Sequence, residues 1–417
     1  MSVRFNMIVV FVLIGLVFSI SSGADRTATW TGAGGDSLWG NPANWDVGVV
    51  PDNNATGDQW TCILDHTGSE DMFLGVQNSY TVSFVTTYST GGGWVELTRW
   101  TSNWVCFTLD DNGSVGGLTN YGIWQLDNFD IIGNIINHGD LELDDDVELT
   151  GNVVNYGTFD MTLAEIDGNV TNHNGAQVWV DPEGVNDVEG DFQNNGAVTI
   201  APKGFLYTDG QFTNNSGGSL EIFSGNFTSG GALTNAAGAS IAGTGLVHGE
   251  TGIDNAGSIA SSFGDLAVHT WSAMTNTGSL TNASGTSLNV GAASFDHQGT
   301  ITVHSAGAVT FNCDLVNKSG ASIEILGGTF SASNITNKSG ASFNGFGGII
   351  GNLTNEGVID LYGNSHIVGN VQNDTASTLG IRNGDLLIKG DTVNDGTINA
   401  VNGKVYFEGN LINNGTI

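Results

Sequence analysis

Apolar and polar residues alternate in short runs along most of this chain. Thr158-Phe159-Asp160-Met161 and Ser219-Leu220-Glu221-Ile222 are typical, and Gly or Asn breaks each run. Alternation with period two predicts strands with one buried face. Over the alternation lies a recurring phrase: small, any, apolar, any, Asn, then in most copies Gly two or three residues on. Gly133-Asn134-Ile135-Ile136-Asn137-His138-Gly139 and Gly409-Asn410-Leu411-Ile412-Asn413-Asn414-Gly415 are two copies. Its anchors are Asn120, Asn137, Asn155, Asn172, Asn194, Asn214, Asn235, Asn255, Asn276, His297, Asn317, Asn337, Asn355, Asn373, Asn394 and Asn413. Their mean spacing is about 19.5 residues, with extremes of 17 and 22. Two positions before each anchor the residue is apolar, Thr392 excepted. Four before, it is Gly at eleven places and Thr251, Ser272, Ala293, Cys313 or Ser333 at the rest.

A unit this short cannot bury a core alone, but it can against stacked copies of itself. It has no room for a helix plus strands. The expected fold is all-β: a parallel β-helix (β-solenoid) of about 16 or more coils, 19–20 residues per coil, with each strand paired to its copies about 4.8 Å above and below. Fifteen such rises make a rod of roughly 70 Å. The apolar position then stacks on itself inside, and the small one sits where space is short. The Asn is placed at a corner. There it tolerates left-handed backbone and bonds the Asn of the next coil, while the Gly completes the turn. His297 reads as a ladder substitute and Cys313 as a small buried column member.

The repeat resembles the right-handed, single-stranded parallel β-helix of secreted bacterial surface proteins, of the autotransporter-passenger and filamentous-haemagglutinin type. Asn ladders at coil corners are also familiar from pectate-lyase-like helices. The resemblance covers about residues 110 to 417 and implies fold, not activity. Residues 25–109 form a different head, rich in Trp: Trp30, Trp39, Trp45, Trp60, Trp94, Trp100 and Trp104. The phrase from Trp30-Thr31-Gly32 through Leu38-Trp39 to Asn44-Trp45 resembles the N-terminal head of exported β-helix proteins of planctomycetes and relatives. An open first coil needs a cover, so the cluster is expected to cap it. The rival reading makes Trp39 and Trp45 glycan contacts, since flat indoles stack on pyranose faces. Tyr80 to Val85 is expected to begin the first coils.

Composition narrows function. Gly is 63 of 417 residues and Asn 45, whereas Pro is only 4. Lys plus Arg is 9 against 42 Asp plus Glu, a formal net charge of -33. So few cations exclude nucleic-acid binding and attachment to anionic lipid by a basic helix. Residues 1–24 read as a signal peptide: Arg4, the apolar run Met7 to Ile20, then Ser22-Gly23-Ala24. No later segment is long and apolar enough to span a bilayer as a helix. The expected location is therefore secreted or cell-surface. In an oxidising compartment Cys62 and Cys106 are a candidate pair. The chain stops at Ile417, one strand into a new coil, which leads to the expectation of a fragment or a docked end.

Candidate chemistry is thin. Asp144 and Asp146, alternate residues of one expected strand, form the best acidic pair and a weak Ca²⁺ site. The alternative is a solvated turn. The eight His are scattered, Lys318 and Lys338 read as a surface column, and no phosphate-loop, zinc-protease, EF-hand or nucleophile-elbow phrase occurs. Asn-x-Ser/Thr phrases such as Asn226-Phe227-Thr228 arise readily in such a composition. The sequence therefore points to a non-enzymatic, exported stalk or adhesin-like solenoid without cofactors, whose partners would be surface polysaccharide or surface protein. The alternative is a β-helix that binds or degrades polysaccharide.

Overall fold

The computed structural model describes residues 24–56, 58–67, 72–89, 95–99, 106–111, 114–115, 117–128, 130–182 and 184–417. The expected signal segment and Trp94, Trp100 and Trp104 lie outside them. The fold is a parallel β-solenoid of about 16 turns, 63% strand and 1% helix. Each turn has three faces. In one turn they are Asn134–Asn137, Asp140–Asp144 and Glu148–Thr150, and in the next Val153–Asn155, Thr158–Met161 and Glu165–Asp167. We call them the anchor face, the second face and the third face.

Register is kept from coil to coil. On the anchor face Leu118, Ile135, Val153, Val170, Phe192 and Phe212 follow one another in pairing order, and all are buried. A one-residue slip would turn every such side chain outward, so the apolar columns themselves hold the register. Thr392 continues the column, and its hydroxyl is buried without a hydrogen-bond partner. In several turns consecutive faces run together as one long strand: Ser322–Asn337 and Ser342–Asn355 each cover the second face, the third face and the following anchor face. There the chain bends at glycines: Gly345 and Gly347 have φ of 123° and 135°, values open to Gly alone.

The solenoid begins earlier than Tyr80. Asp25–Thr29 pairs in parallel with Gln59–His66, which pairs with Phe84–Ser89 and so with Gly117–Asn120. Tyr80–Val82 does belong to an early coil, on the third face beside Phe107. The Trp-rich loop closes this end. Trp39 meets Trp45, Phe107 and Tyr80 at ring-centroid distances of 4.7, 4.9 and 6.2 Å, and Trp30 stands edge-on to Trp45 at 5.2 Å. Buried Asn44 ties the loop: its amide donates to Asp36 and to the Leu38 carbonyl, and its oxygen accepts from Gly34 N–H.

Two expectations from the sequence are corrected here. Trp39 and Trp45 are 0% and 3% exposed, so their faces serve one another and offer nothing to a sugar. Cys62 and Cys106 do not pair. Cys62 is fully buried inside the coil on the anchor face, in line with Val85 and Leu118, whereas Cys106 lies half-buried on the third face in register with Asp130, so the two thiols stand on different walls of the solenoid. Cys313 keeps its place at the coil entry but is only half-buried.

The Asn columns form a ladder whose wiring repeats. The Asn120 amide donates to Asn137 Oδ1 at 2.8 Å and to the Asp140 carbonyl at 2.8 Å, while its own oxygen accepts from Gly122 N–H at 2.9 Å. Asn137 repeats this with Asn155 and Thr158, Asn155 with Asn172 and Gln177, and so on up the rod. Thr87 starts the ladder, its hydroxyl donating to Asn120 Oδ1 at 2.6 Å. Every ladder Asn except the terminal Asn413 is buried. None of them has a positive φ, so Asn is selected for its amide and not for left-handed backbone. The following Gly likewise answers to space. A Cβ on Gly139 would lie 2.0 Å from the Gly122 carbonyl oxygen, one on Gly157 2.0 Å from Gly139 oxygen, and one on Gly278 2.0 Å from Gly257 oxygen.

His297 interrupts this wiring. Asn276 donates to its Nδ1 at 3.1 Å, which fixes the neutral tautomer with the proton on Nε2, facing the Ser322 carbonyl at 3.4 Å. A second donor toward Asn317 does not exist, and among the described residues Asn317 Oδ1 is buried without a partner. Burial drives the His297 pKa down from 6.5 to about 4.

Candidate functional site

The buried ladder amides are committed to one another and to backbone carbonyls, and the candidate chemistry stands on the outer rows. Parallel in-register stacking places like positions of successive coils side by side at about 4.8 Å. The acids are not evenly spread: 20 of the 42 Asp and Glu fall between residues 96 and 209, with Arg99 and Lys203 as the cations there. The coil geometry sorts many of them onto two faces.

On the second face Gln125, Glu142, Asp160 and Trp179 form one outward row. Asp127 and Asp144 pair in the neighbouring row. Ile123, Asp140, Glu142, Thr158 and Asp160 line a shallow depression of about 280 Å³. Partial burial, then neighbouring carboxylates, push both Glu142 and Asp160 up to about 6. The Trp179 indole is 41% exposed and donates to Asp181 at 2.7 Å.

The third face carries a longer row: Asp130, Glu148, Glu165, Asp187, Tyr207, Thr228, His248, His269 and Gly291, each in register with the next. Burial and like charges raise Glu148 and Asp187. The hydrogen bond of Tyr207 to Asp209 holds its phenol up at about 12. At the far end the His248 and His269 rings lie stacked, with Nδ1 atoms 3.1 Å apart, and Trp271 stands edge-on to both at 5.3 and 4.4 Å. Trp271 is 71% exposed.

A third feature runs beside the ladder. Tyr88, Tyr121, His138, Tyr156 and His173 stack face to face at 5.5, 4.9, 4.8 and 4.1 Å, with interplanar angles of 10° or less. Four of them follow an anchor directly, so the signal was present in the sequence as an aromatic in the position after Asn. Their faces cover one another and only edges meet solvent, which makes this stack a brace between coils. Further along, the position after the anchor carries the ion pairs Lys318–Asp296 and Lys338–Glu356 at 2.7 and 2.5 Å. The expected Lys column is therefore a set of surface ion pairs, each worth little in stability. A second, exposed ladder was also legible three positions before the anchor. There Asn152, Asn169 and Asp191 N–H groups donate to the side chains of Asn134, Asn152 and Asn169 at 2.8–2.9 Å.

The acidic pair proposed from sequence does not form. Asp144 ends its strand, while Asp145 and Asp146 have φ of 50° and 65° and make the turn into Glu148–Thr150. Strand alternation no longer applies, and the two carboxylates are not set on one strand face. Among the described residues no group of three or more His, Cys, Asp or Glu is arranged to hold a metal ion. Comparison with protein-family models, with curated proteins and with solved structures finds no match for this chain.

The crowded carboxylates make a measurable prediction. Glu142 and Asp160 have folded pKa values above their ordinary ones, so ionising them costs stability, and the cost appears as pH rises through about 6. Asp160→Asn is expected to raise the melting temperature by about 2 °C at pH 8, consistent with a partly solvated interaction of about 1 kcal/mol, and to leave it unchanged at pH 4. Thermal melts of both proteins at the two pH values check this. An equal shift at both would mean that charge is not the cause.

Proposed function

We propose that this chain is an exported, non-enzymatic β-solenoid that serves as a cell-surface or extracellular stalk with an adhesin-like role. One observation carries the reading: the side chains are invested in vertical stacking. The Asn ladder, the apolar columns, the Tyr/His stack and the surface Asn ladder all run along the rod and reinforce its length. A rod built this way resists unfolding locally because each coil is clamped by two neighbours. It also presents long outward rows at a regular rise, with runs of like chemistry such as Asp130, Glu148, Glu165 and Asp187, which suits contact with a repeating surface such as a polysaccharide or another surface protein. The run from Arg4 to Ala24 supports export.

The test uses the full chain with an epitope tag, expressed with residues 1–24 and, separately, without them. Added protease should cleave the tag on intact cells, or the tag should appear in the medium, only when that segment is present. Retention of both proteins inside the cell would sink the proposal. Release of reducing sugar from polysaccharides by the purified chain, lost in Glu142→Gln and Asp160→Asn, would replace the non-enzymatic reading by the degrading one.

A further inference from the structure

The corner around Trp271 departs from the rows that lead to it. Five residues before the anchor, preceding coils carry Asp167, Glu189, Asp209, Gly230 and Glu250, and this coil carries Trp271. An acidic row thus ends in a large exposed indole. The inner row changes at the same level. His248 and His269 are followed by Gly291, whose missing side chain lets the His269 ring and the Asn312 amide close in over its backbone: a Cβ there would fall 2.5 Å from His269 Cδ2 and 2.9 Å from Asn312 Nδ2. Beside them lies a depression of about 260 Å³ lined by Ala267, His269, Asn289, Gly291, Thr310 and Asn312. His269 is its wall on one side and the ring against which Trp271 is held on the other. Asn312 Oδ1 accepts from Ala292 N–H at 3.2 Å, which fixes the amide and leaves its NH₂ outward. Among the described residues the side chains of Asn289 and Thr310 and the Trp271 N–H make no hydrogen bond within the protein.

Such a corner has one apolar plate and several uncommitted donors and acceptors around a small hollow. A buried apolar partner would leave those amides unpaired at a cost. A ligand with apolar faces and hydroxyl edges satisfies both halves, as small-molecule sites do with few placed polar groups. Charge selects further. Glu250 stands one coil before Trp271 and its charge reaches His248, within a chain of net charge -33, so a polyanion is repelled.

We infer that this corner is a binding subsite for a neutral polysaccharide, in which the Trp271 indole covers the face of one sugar ring and the hollow between His269, Asn289 and Asn312 takes hydroxyls of the adjoining unit. This deepens the adhesin-like reading by giving the rod a ligand class, and it rests on that reading only for its biological setting.

The experiment titrates the purified full chain with cellohexaose, xylohexaose and mannohexaose, and with polygalacturonate as the acidic counterpart, by tryptophan fluorescence and affinity electrophoresis. At least one neutral glycan is expected to bind. Trp271→Ala should weaken it tenfold or more with an unchanged circular dichroism spectrum, since the side chain is on the surface. Gly291→Ala, whose methyl would push the His269 ring and the Asn312 amide aside at the rim of the depression, should weaken it as well. Trp179→Ala, which removes an indole already bonded to Asp181, should leave binding within twofold. Three results overturn the inference: no neutral glycan bound, polygalacturonate preferred, or binding that survives both Trp271→Ala and Gly291→Ala. The stalk proposal is judged separately by export, so either can fail alone.

Discussion

His297→Asn raises the stability of the rod and removes an acid-sensitive joint. In the native chain the His297 imidazole accepts from Asn276 and has no donor left for Asn317 Oδ1, which stays buried and unpaired among the described residues. An Asn there restores the bond made at every other rung, worth about 1–3 kcal/mol at a buried acceptor. The pH dependence is the sharper signature. The unfolded chain protonates this His below about 6.5, whereas burial keeps the folded one neutral down to about 4. Unfolding therefore takes up a proton across that window, and stability falls as pH drops through it, by about 3 kcal/mol in total. The crowded carboxylates of the second face act in the opposite direction over part of the same range. The quantity to compare is thus the difference between His297→Asn and the native chain, from thermal melts at pH 8 and at pH 4.5. It should be positive at pH 8 and larger at pH 4.5. A pH-independent difference would mean that the imidazole is not desolvated. A negative one would mean that the broken rung is not the weak point.

Gly157→Ala, a single methyl, breaks the coil locally. Its Cβ would lie 2.0 Å from the Gly139 carbonyl oxygen and 2.9 Å from the Gly139 carbonyl carbon. Both are backbone atoms in a paired strand connection and cannot swing aside as a side-chain tip can. Relief requires these two coils to separate, which costs the ladder bond Asn137–Asn155 and the Asn137 bond to the Thr158 carbonyl between them. The expected loss is about 4 kcal/mol or more, in the range reserved for core disruption. Gly117→Ala supplies the contrast, since its Cβ would meet the Asn134 carbonyl oxygen at 3.6 Å and Phe84 Cδ1 at 4.0 Å, ordinary contacts. Limited proteolysis should cut the Gly157 variant near that coil under conditions that leave the native chain and Gly117→Ala intact. Equal resistance of all three would show that the coils can part cheaply there.

Much of the architecture was legible because its cause is local and repeated. The Ile135, Val153 and Val170 column follows from period-two alternation recurring at a fixed interval, and Asn137, Asn155 and Asn172 follow from the need to satisfy a buried polar position the same way in each coil. What the pattern concealed was which property of a residue was being used. Asn serves through its amide with ordinary strand backbone, and Gly157 serves by lacking a Cβ next to another coil. Both look the same in sequence as turn residues. The surface chemistry was harder. Glu148, Glu165, Asp187, His248 and His269 are dispersed in the chain, and only the coil rise brings them into one row. Asp144 and Asp146, adjacent in sequence, are instead parted by a turn.

By itself, then, the sequence determined the class of fold, the period, the identity of the inward columns and the existence of an Asn ladder, since each depends on a residue and its copy one period away. Tertiary structure alone decided where the caps and sites lie. Trp39 and Trp45 are swallowed by the first coil while Trp271 is left in solvent. That outcome depends on loop paths and on the space between coils, set by atoms far apart along the chain.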